Sequence, residues 1–453
     1  MKAIQLFISI FILSSFALFN ACTPKLDIPK PNAGTADFSK VIAIGGNFMA
    51  GYQDGALYRK GQQLSIPSLL AEQLKSVGCA GFNQPLMPDN NGLGLNSKMW
   101  ESAFITPSHL GYKTDCKGVR GLSPLKNTIS ISAAAPYLTG TAGNSFQNFA
   151  VPFANIADYF NPAFGNSFLS GNKNPYFNRF ASNPGASTVF GDAKAQSATF
   201  FTVWVGMEDI YNYASTGGTG ATIPSSANFS AYLDTLFAGL TANGAKGVIA
   251  TIPDFRVFPY YTLVAWDNAD LRQVQADSLN DIYTGGGLTH IHFTVGRNGF
   301  VIPDTTANGG VRQLHSGEYM TLSVPLDSMK CNKYGLLFVP INDRYSLTSA
   351  EVALIDAAIS SYNAVITQKA AQYNLALADM YSYFNSVKTG IKYDGADYNA
   401  AFVSGGFFSL DGYQPNQKGY ALIANEFINA ISIKYNAVIP PVNCVECNGV
   451  LFP

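Results

Sequence analysis

The chain has 453 residues, a formal net charge of −1 and 47% apolar residues, enough for one large core or a few ordinary domains. Charged residues are 13%, about half of the roughly 25% usual share, so the surface leans on Asn, Ser, Thr, Gln and Tyr. With no Lys/Arg block and no basic stripe, nucleic-acid binding by phosphate neutralisation is excluded. The 24 Tyr and 32 Phe are core material first, and contacts for carbohydrate, lipid or a partner protein second.

Residues 1–21 read as an export signal: Met1-Lys2, then an apolar run from Ile4 to Phe19, then Asn20-Ala21-Cys22. This resembles the bacterial lipoprotein signal, in which the cysteine is acylated and becomes the mature N-terminus. Phe19 and Asn20 depart from the commonest residues of that box. The resemblance implies a lipid on Cys22 and anchoring at the outer membrane. Residues 22–37, with Pro, Gly and polar residues and no periodicity, read as the tether. No later stretch carries about 18 uninterrupted apolar residues, so no spanning helix is expected.

From there the chain alternates. Buried parallel strands are expected at 39–46, 198–206, 244–253 and 375–384, where β-branched and aromatic residues run together. Helices are expected at 66–77, 349–373 and 417–435. In the second, Ile355, Ile359, Tyr362 and Ile366 fall at steps of three and four, with Ser349 and Glu351 at its start. Residues 80–147 and about 256–345 break the rhythm and read as insertions on one domain spanning 38–436. A Pro/Cys-containing tail follows at 437–453. Strands alternating with helices imply an α/β fold, a doubly wound parallel sheet covered on both faces. Its functional groups should gather beyond the carboxyl ends of the strands. Beyond Cys22 there are five cysteines, an odd count that leaves one thiol free or paired elsewhere; a local Cys444–Cys447 disulfide is expected and Cys79 with Cys116 is a candidate second bridge, the connectivity being left open by the sequence.

Four blocks lie at those strand ends: VIAIGGNFMAGYQDGALY (41–58), NFAVPFANIADY (148–159), VWVGMEDI (203–210) and LDGYQPNQKGYALIANEF (410–427). In this order they resemble the SGNH/GDSL hydrolases, particularly the large lipoprotein members of Bacteroidota, over about 37–436. The resemblance implies a three-layer, flavodoxin-like α/β/α fold. It also implies a Ser nucleophile with a His base and an Asp that orients the base. The Ser N–H, a Gly N–H and an Asn amide would hold the oxyanion. Here the nucleophile position carries Asn47, the glycine position Phe153, the asparagine position Glu208 and the histidine position Gln414; Asp411 alone remains. Asn47 has no ionisable O–H or S–H, and Gln414 takes no proton near neutral pH. An anionic Glu208 would repel an oxyanion, and Phe153 puts a ring where backbone must approach the substrate. Losing Ser or His alone costs about 10⁶ in kcat, roughly 8 kcal/mol.

Rebuilt chemistry finds little in the sequence. His109, His290, His292 and His315 all fall in the insertions, and His290-x-His292 as an alternating strand pair is a weak metal signal. Glu208, Asp209 and Asp54 offer a two-carboxylate site only on paper, since adjacent residues at a turn point apart. The expectation is a non-enzymatic pseudohydrolase without cofactor or metal. It would be lipid-anchored at the outer membrane and act as a scaffold for an outer-membrane β-barrel complex. The alternatives are an esterase or glycan deacylase with displaced residues, and a glycan- or lipid-binding module using Phe153 and nearby aromatics.

Overall fold

The computed structural model describes residues 29–95, 103–140, 146–167 and 174–453. The expected signal segment and Cys22 lie outside them. The chain divides into two units, Met1–Pro31 and Asn32–Pro453. Of the first, residues 29–31 are described and exposed.

The second unit is built on five parallel strands: β1 (Val41–Gly45), β2 (Asn148–Ala150), β3 (Phe200–Trp204), β4 (Lys246–Ala250) and β5 (Ala376–Ala378), in the order β5-β4-β3-β1-β2. Ala43 pairs with Asn148 on one side and Thr202 on the other. β1 and β3 are buried along their whole length, as continuous apolar runs require when both sheet faces are covered. The covering helices are α1 (Asn47–Ala50), α2 (Ile66–Leu74), α3 (Met207–Ala214), α4 (Ser226–Thr241), α5 (Ser349–Gln372), α6 (Met380–Thr389) and α7 (Gln417–Tyr435). α7 packs with α2 on one face of the sheet, and α4 with α5 on the other. The expected α/β/α architecture is therefore the observed one.

Local chemistry corrects several boundaries. The strand expected over 375–384 is three residues long, because the Asp379 side chain accepts from Ser382 N–H and starts α6. α5 is capped by Thr348, not Ser349: Thr348 Oγ1 accepts from Glu351 N–H while the Glu351 carboxylate accepts from Thr348 N–H at 2.7 Å. The tether expected to run to residue 37 is shorter. Asn32 and Val438 exchange backbone hydrogen bonds of 3.0 and 2.9 Å, and Phe38 enters the core. His290 and His292 lie in irregular chain rather than a strand, both exposed, with His290 Nε2 bonded to the Val311 carbonyl at 2.8 Å.

The two insertions differ in construction. Met87, Leu93, Phe104 and Tyr137 of the first join the main core. The second builds two small cores of its own, one around Phe300, Ile302 and Met320, the other around Leu279, Tyr283 and Ile291. The tail is docked: Val442 and the Asn425 amide exchange two hydrogen bonds, and Cys444 and Cys447 are buried in the main core.

The expected Cys444–Cys447 disulfide and the candidate Cys79–Cys116 bridge are both corrected by this packing. Cys79, Cys444 and Cys447 are buried free thiols, while Cys116 is bonded to Cys331, with Cα atoms 6.3 Å apart. That bond ties the hairpin His109–Thr114/Arg120–Leu125 of the first insertion to the helix Leu326–Asn332 of the second. The ion pairs Lys113–Asp327 and Lys330–Asp115 flank it. Among the described residues, no helix is long and apolar enough to cross a membrane.

A closed loop of 215 residues removes much denatured-state freedom, whereas exposed ion pairs contribute little. Cys116→Ser with Cys331→Ser should therefore lower unfolding stability by about 2–4 kcal/mol in denaturant melts. Lys113→Ala should cost under about 1 kcal/mol.

Candidate active site

β1 ends in Gly45-Gly46 and turns into α1, whose first residue is Asn47. Gly46 is required by approach rather than by its dihedrals: a Cβ there would sit 1.9 Å from the Glu208 carboxylate. Glu208 comes from the first turn of α3, which follows β3 through Gly206 at φ +93. Phe153 lies in the turn after β2, and Asp411 and Gln414 in the loop before α7. The sheet thus brings all five positions together at the carboxyl ends of β1, β2 and β3, as the blocks imply.

They form one hydrogen-bonded chain. Asp411 accepts from the N–H groups of Tyr413, Gln414 and Gly55, each at 2.8 Å. The Gln414 amide has one orientation that satisfies its neighbours: Nε2 donates to the two Asp411 oxygens at 2.7 and 2.9 Å, and Oε1 accepts from Asn47 Nδ2 at 2.9 Å. Asn47 Oδ1 accepts from Phe153 N–H at 2.8 Å, and Asn47 N–H donates to Glu208 Oε1 at 2.7 Å. The order Asp411, Gln414, Asn47 is that of an acid–base–nucleophile relay, built from a carboxyl and two amides. Neither amide carries a proton that moves near neutral pH. The backbone N–H groups of Asn47 and Phe153 are both occupied within the protein. Asn47 is 2% exposed and Gln414 and Glu208 4%, so the strand ends meet in a packed interior rather than in an open crevice.

Two neighbours keep the geometry. Asp209 accepts from Ile156 N–H with both oxygens, at 3.1 and 2.9 Å, which fixes the turn that carries Phe153. Phe153 itself is left-handed at φ +64, a conformation natural to glycine that costs another residue about 1–2 kcal/mol. Its ring lies edge-on to Tyr52 at 5.2 Å, and 6.3 Å from Tyr176. Sequence reading misses Asn212, whose Nδ2 donates to Phe153 O at 3.3 Å and Asn155 Oδ1 at 2.8 Å. Its signal is spacing: four residues after Glu208, it shares that residue's helix face. Also missed is Ser409, whose Oγ accepts from Asp54 N–H at 2.9 Å.

Burial dominates the electrostatics. It pushes Glu208, Asp209 and Asp54 up to about 7 each, and it raises Asp411 despite the three N–H groups on that carboxylate. Glu208 is thus enclosed, not solvated as the turn position suggests. Asp54 accepts from Tyr58 Oη and Leu410 N–H at 3.0 Å, on the Asp411 side, and shares no partner with Glu208 or Asp209. A two-carboxylate pair is not assembled. Among the described residues no histidine nitrogen is hydrogen-bonded to a serine hydroxyl, and no three His, Cys, Asp or Glu side chains are placed to hold a metal ion.

The family model for the GDSL-like lipase/acylhydrolases matches residues 123–427, about two thirds of the chain. That span includes Phe153, Glu208, Asp411 and Gln414 and begins after Asn47. Among solved structures, the chain is similar to LAE5, an α/β hydrolase enzyme from the metagenome of Lake Arreo, Spain. The identity is 11% over 88% of this chain and 96% of that one, with a TM-score of 0.36. It is also similar to a GDSL-like lipase candidate from Parabacteroides merdae ATCC 43184, at 10% identity over 89% of this chain and all of that one, with a TM-score of 0.33. No curated protein matches the chain.

The buried acids give stability a definite pH dependence. Glu208, Asp209 and Asp54 titrate near 7 when folded, against about 4 in the unfolded chain. Between those values the folded state binds more protons, so stability is greatest toward the acid side and is lost as pH rises to about 7. Asp115 and Asp304, held at about 2 by Lys330 and by Thr306 with Arg312, act oppositely below about 4. Melting temperature should rise from pH 8 to pH 5. Glu208→Gln keeps an acceptor for Asn47 N–H and should flatten that slope. An unchanged slope would show that Glu208 does not titrate there.

Proposed function

The chain belongs to the GDSL-like lipase/acylhydrolase family, and from that premise we propose that it is a member without hydrolytic activity, serving as a lipid-anchored binding or scaffold subunit at the outer membrane. The observation that carries the first part is the closed chain Asp411–Gln414–Asn47–Phe153, with Asn47 N–H bonded to Glu208. Hydrolysis in this family's manner needs an oxygen nucleophile, a base of suitable pKa and free donors for the oxyanion. At the corresponding positions the oxygen and the base are replaced by amides, and the two backbone donors point at side chains. Burial adds a further barrier, since a substrate would have to displace packed side chains to reach Asn47.

The scaffold role draws on surfaces. Nine of the fifteen exposed large apolar side chains among the described residues, including Tyr112, Leu122, Phe338 and Val339, lie in the two insertions. Exposed apolar groups on pinned insertions suit a partner interface. The lipid on Cys22 and the β-barrel partner come from the resemblance of the signal and blocks to envelope lipoproteins. Family membership by itself favours a second reading, an esterase or glycan deacylase with displaced residues.

Two experiments separate them. A fluorophosphonate probe should label no serine, and p-nitrophenyl esters should be turned over at the background rate. Asn47→Ser should not restore hydrolysis, because Gln414 cannot take the hydroxyl proton. It should instead cost about 1–3 kcal/mol by leaving Phe153 N–H or Gln414 Oε1 unpaired. One specifically labelled serine overturns the inactive reading. For the scaffold role, affinity capture of the acylated protein from detergent-solubilised envelopes should recover a stoichiometric β-barrel partner, and recovery of the protein alone counts against it.

A further inference from the structure

Away from the site just described, an opening runs along the seam between the two small cores of the second insertion. It is a cleft of about 890 Å³, lined by Leu271 and Leu279 of one core and Val264 and Phe300 of the other. None of the five site residues contributes to it. Its lining includes apolar side chains that the fold leaves in water: Leu263 is 45% exposed, Leu326 47% and Val274 80%. Three lysines, Lys117, Lys330 and Lys333, stand in the same lining against one carboxylate, Asp270.

The origin of those cations matters. Lys330 and Lys333 belong to the helix Leu326–Asn332 and its left-handed end, but Lys117 comes from the first insertion. It reaches the cleft because Cys116, its neighbour in sequence, is bonded to Cys331. Lys330 is paired with Asp115, whereas neither Lys117 nor Lys333 has an ion-pair partner among the described residues. A disulfide therefore holds an unpaired ammonium from one insertion at the mouth of an apolar cleft in the other.

We propose that this cleft binds a single-chain anionic amphiphile, a fatty acid or alkyl phosphate, with its chain on the apolar seam and its head group among Lys117, Lys330 and Lys333. Size fits a small molecule: the volume lies within the range of about 300–1,000 Å³ typical of small-molecule sites. Charge selects the head: three lysines in the lining, two of them without an ion-pair partner among the described residues, stand against the single acid Asp270.

The test uses the full chain with Cys22→Ala, so that no attached acyl group competes, titrated calorimetrically with octanoate, decanoate and dodecanoate below their micellar concentrations. Dissociation constants should fall about fourfold for each added methylene, as chain burial requires. Dodecyl phosphate should bind comparably to dodecanoate, and neutral dodecyl maltoside at least tenfold more weakly. The double variant Lys117→Glu/Lys333→Glu should weaken dodecanoate binding tenfold or more. Val274→Glu, at an exposed position, should do the same by charging the chain wall. Cys116→Ser should weaken it by releasing Lys117. Thermal melts of the Lys117/Lys333 and Val274 variants should match the parent, which separates lost binding from lost folding. Affinity independent of chain length, equal affinity for the neutral head, or variants that bind like the parent would overturn the assignment.

Discussion

The structure turns on one buried side chain, the Asn47 amide. An amide out of water must have its donors and acceptor paired, or the fold loses about 1–3 kcal/mol for each group left alone. Asn47 meets that demand with groups from three separate segments: Gln414 before α7, Phe153 after β2 and, through its own N–H, Glu208 on α3. The loops at the strand ends are thereby locked in register with the sheet. The same bonds occupy the backbone N–H groups of Asn47 and Phe153 within the protein, so these positions close on one another and brace the interior.

That closure is supported from behind. Phe48, the residue after Asn47, packs among Trp204, Phe258, Phe384, Tyr413 and Tyr420, which fixes where α1 begins. Gly46 leaves room for the Glu208 carboxylate, and Asp209 pins the turn that bears Phe153. Phe153 sits in a glycine-like conformation that packing on Tyr52 and Tyr176 maintains. The exposed large apolar groups lie mostly elsewhere. The insertions that carry most of them are cross-linked through Cys116 and Cys331.

Much of this was legible residue by residue. Continuous apolar runs located β1, β3 and β4, and helical spacing placed α2, α5 and α7 within a residue or a few. The four blocks named the five positions that converge. Other features were illegible for identifiable reasons. A three-residue β5 is shorter than any periodicity can show, and the strand expectation ran on into α6 because Asp379 reads equally as strand end or helix cap. Nothing in the tail's own Pro and Cys residues shows its docking, yet Asn425, nineteen residues before Cys444, ties it to the core. Disulfide partners were beyond reach, since Cys116 and Cys331 meet only after two insertions fold toward each other.

By itself the sequence determined which residues stand at the strand ends, Asn47 and Gln414 among them, and that neither side chain is a titrating base or an oxygen nucleophile. That follows from side-chain chemistry alone, which travels with the residue. Only the tertiary structure decided what those residues do instead. Whether Glu208 is solvated or enclosed, and whether Asn47 faces substrate space or Phe153 N–H, depends on which chain segments fill the volume around them. Burial and hydrogen-bond pairing belong to the assembled interior, where groups more than three hundred residues apart in sequence come within 3 Å of each other.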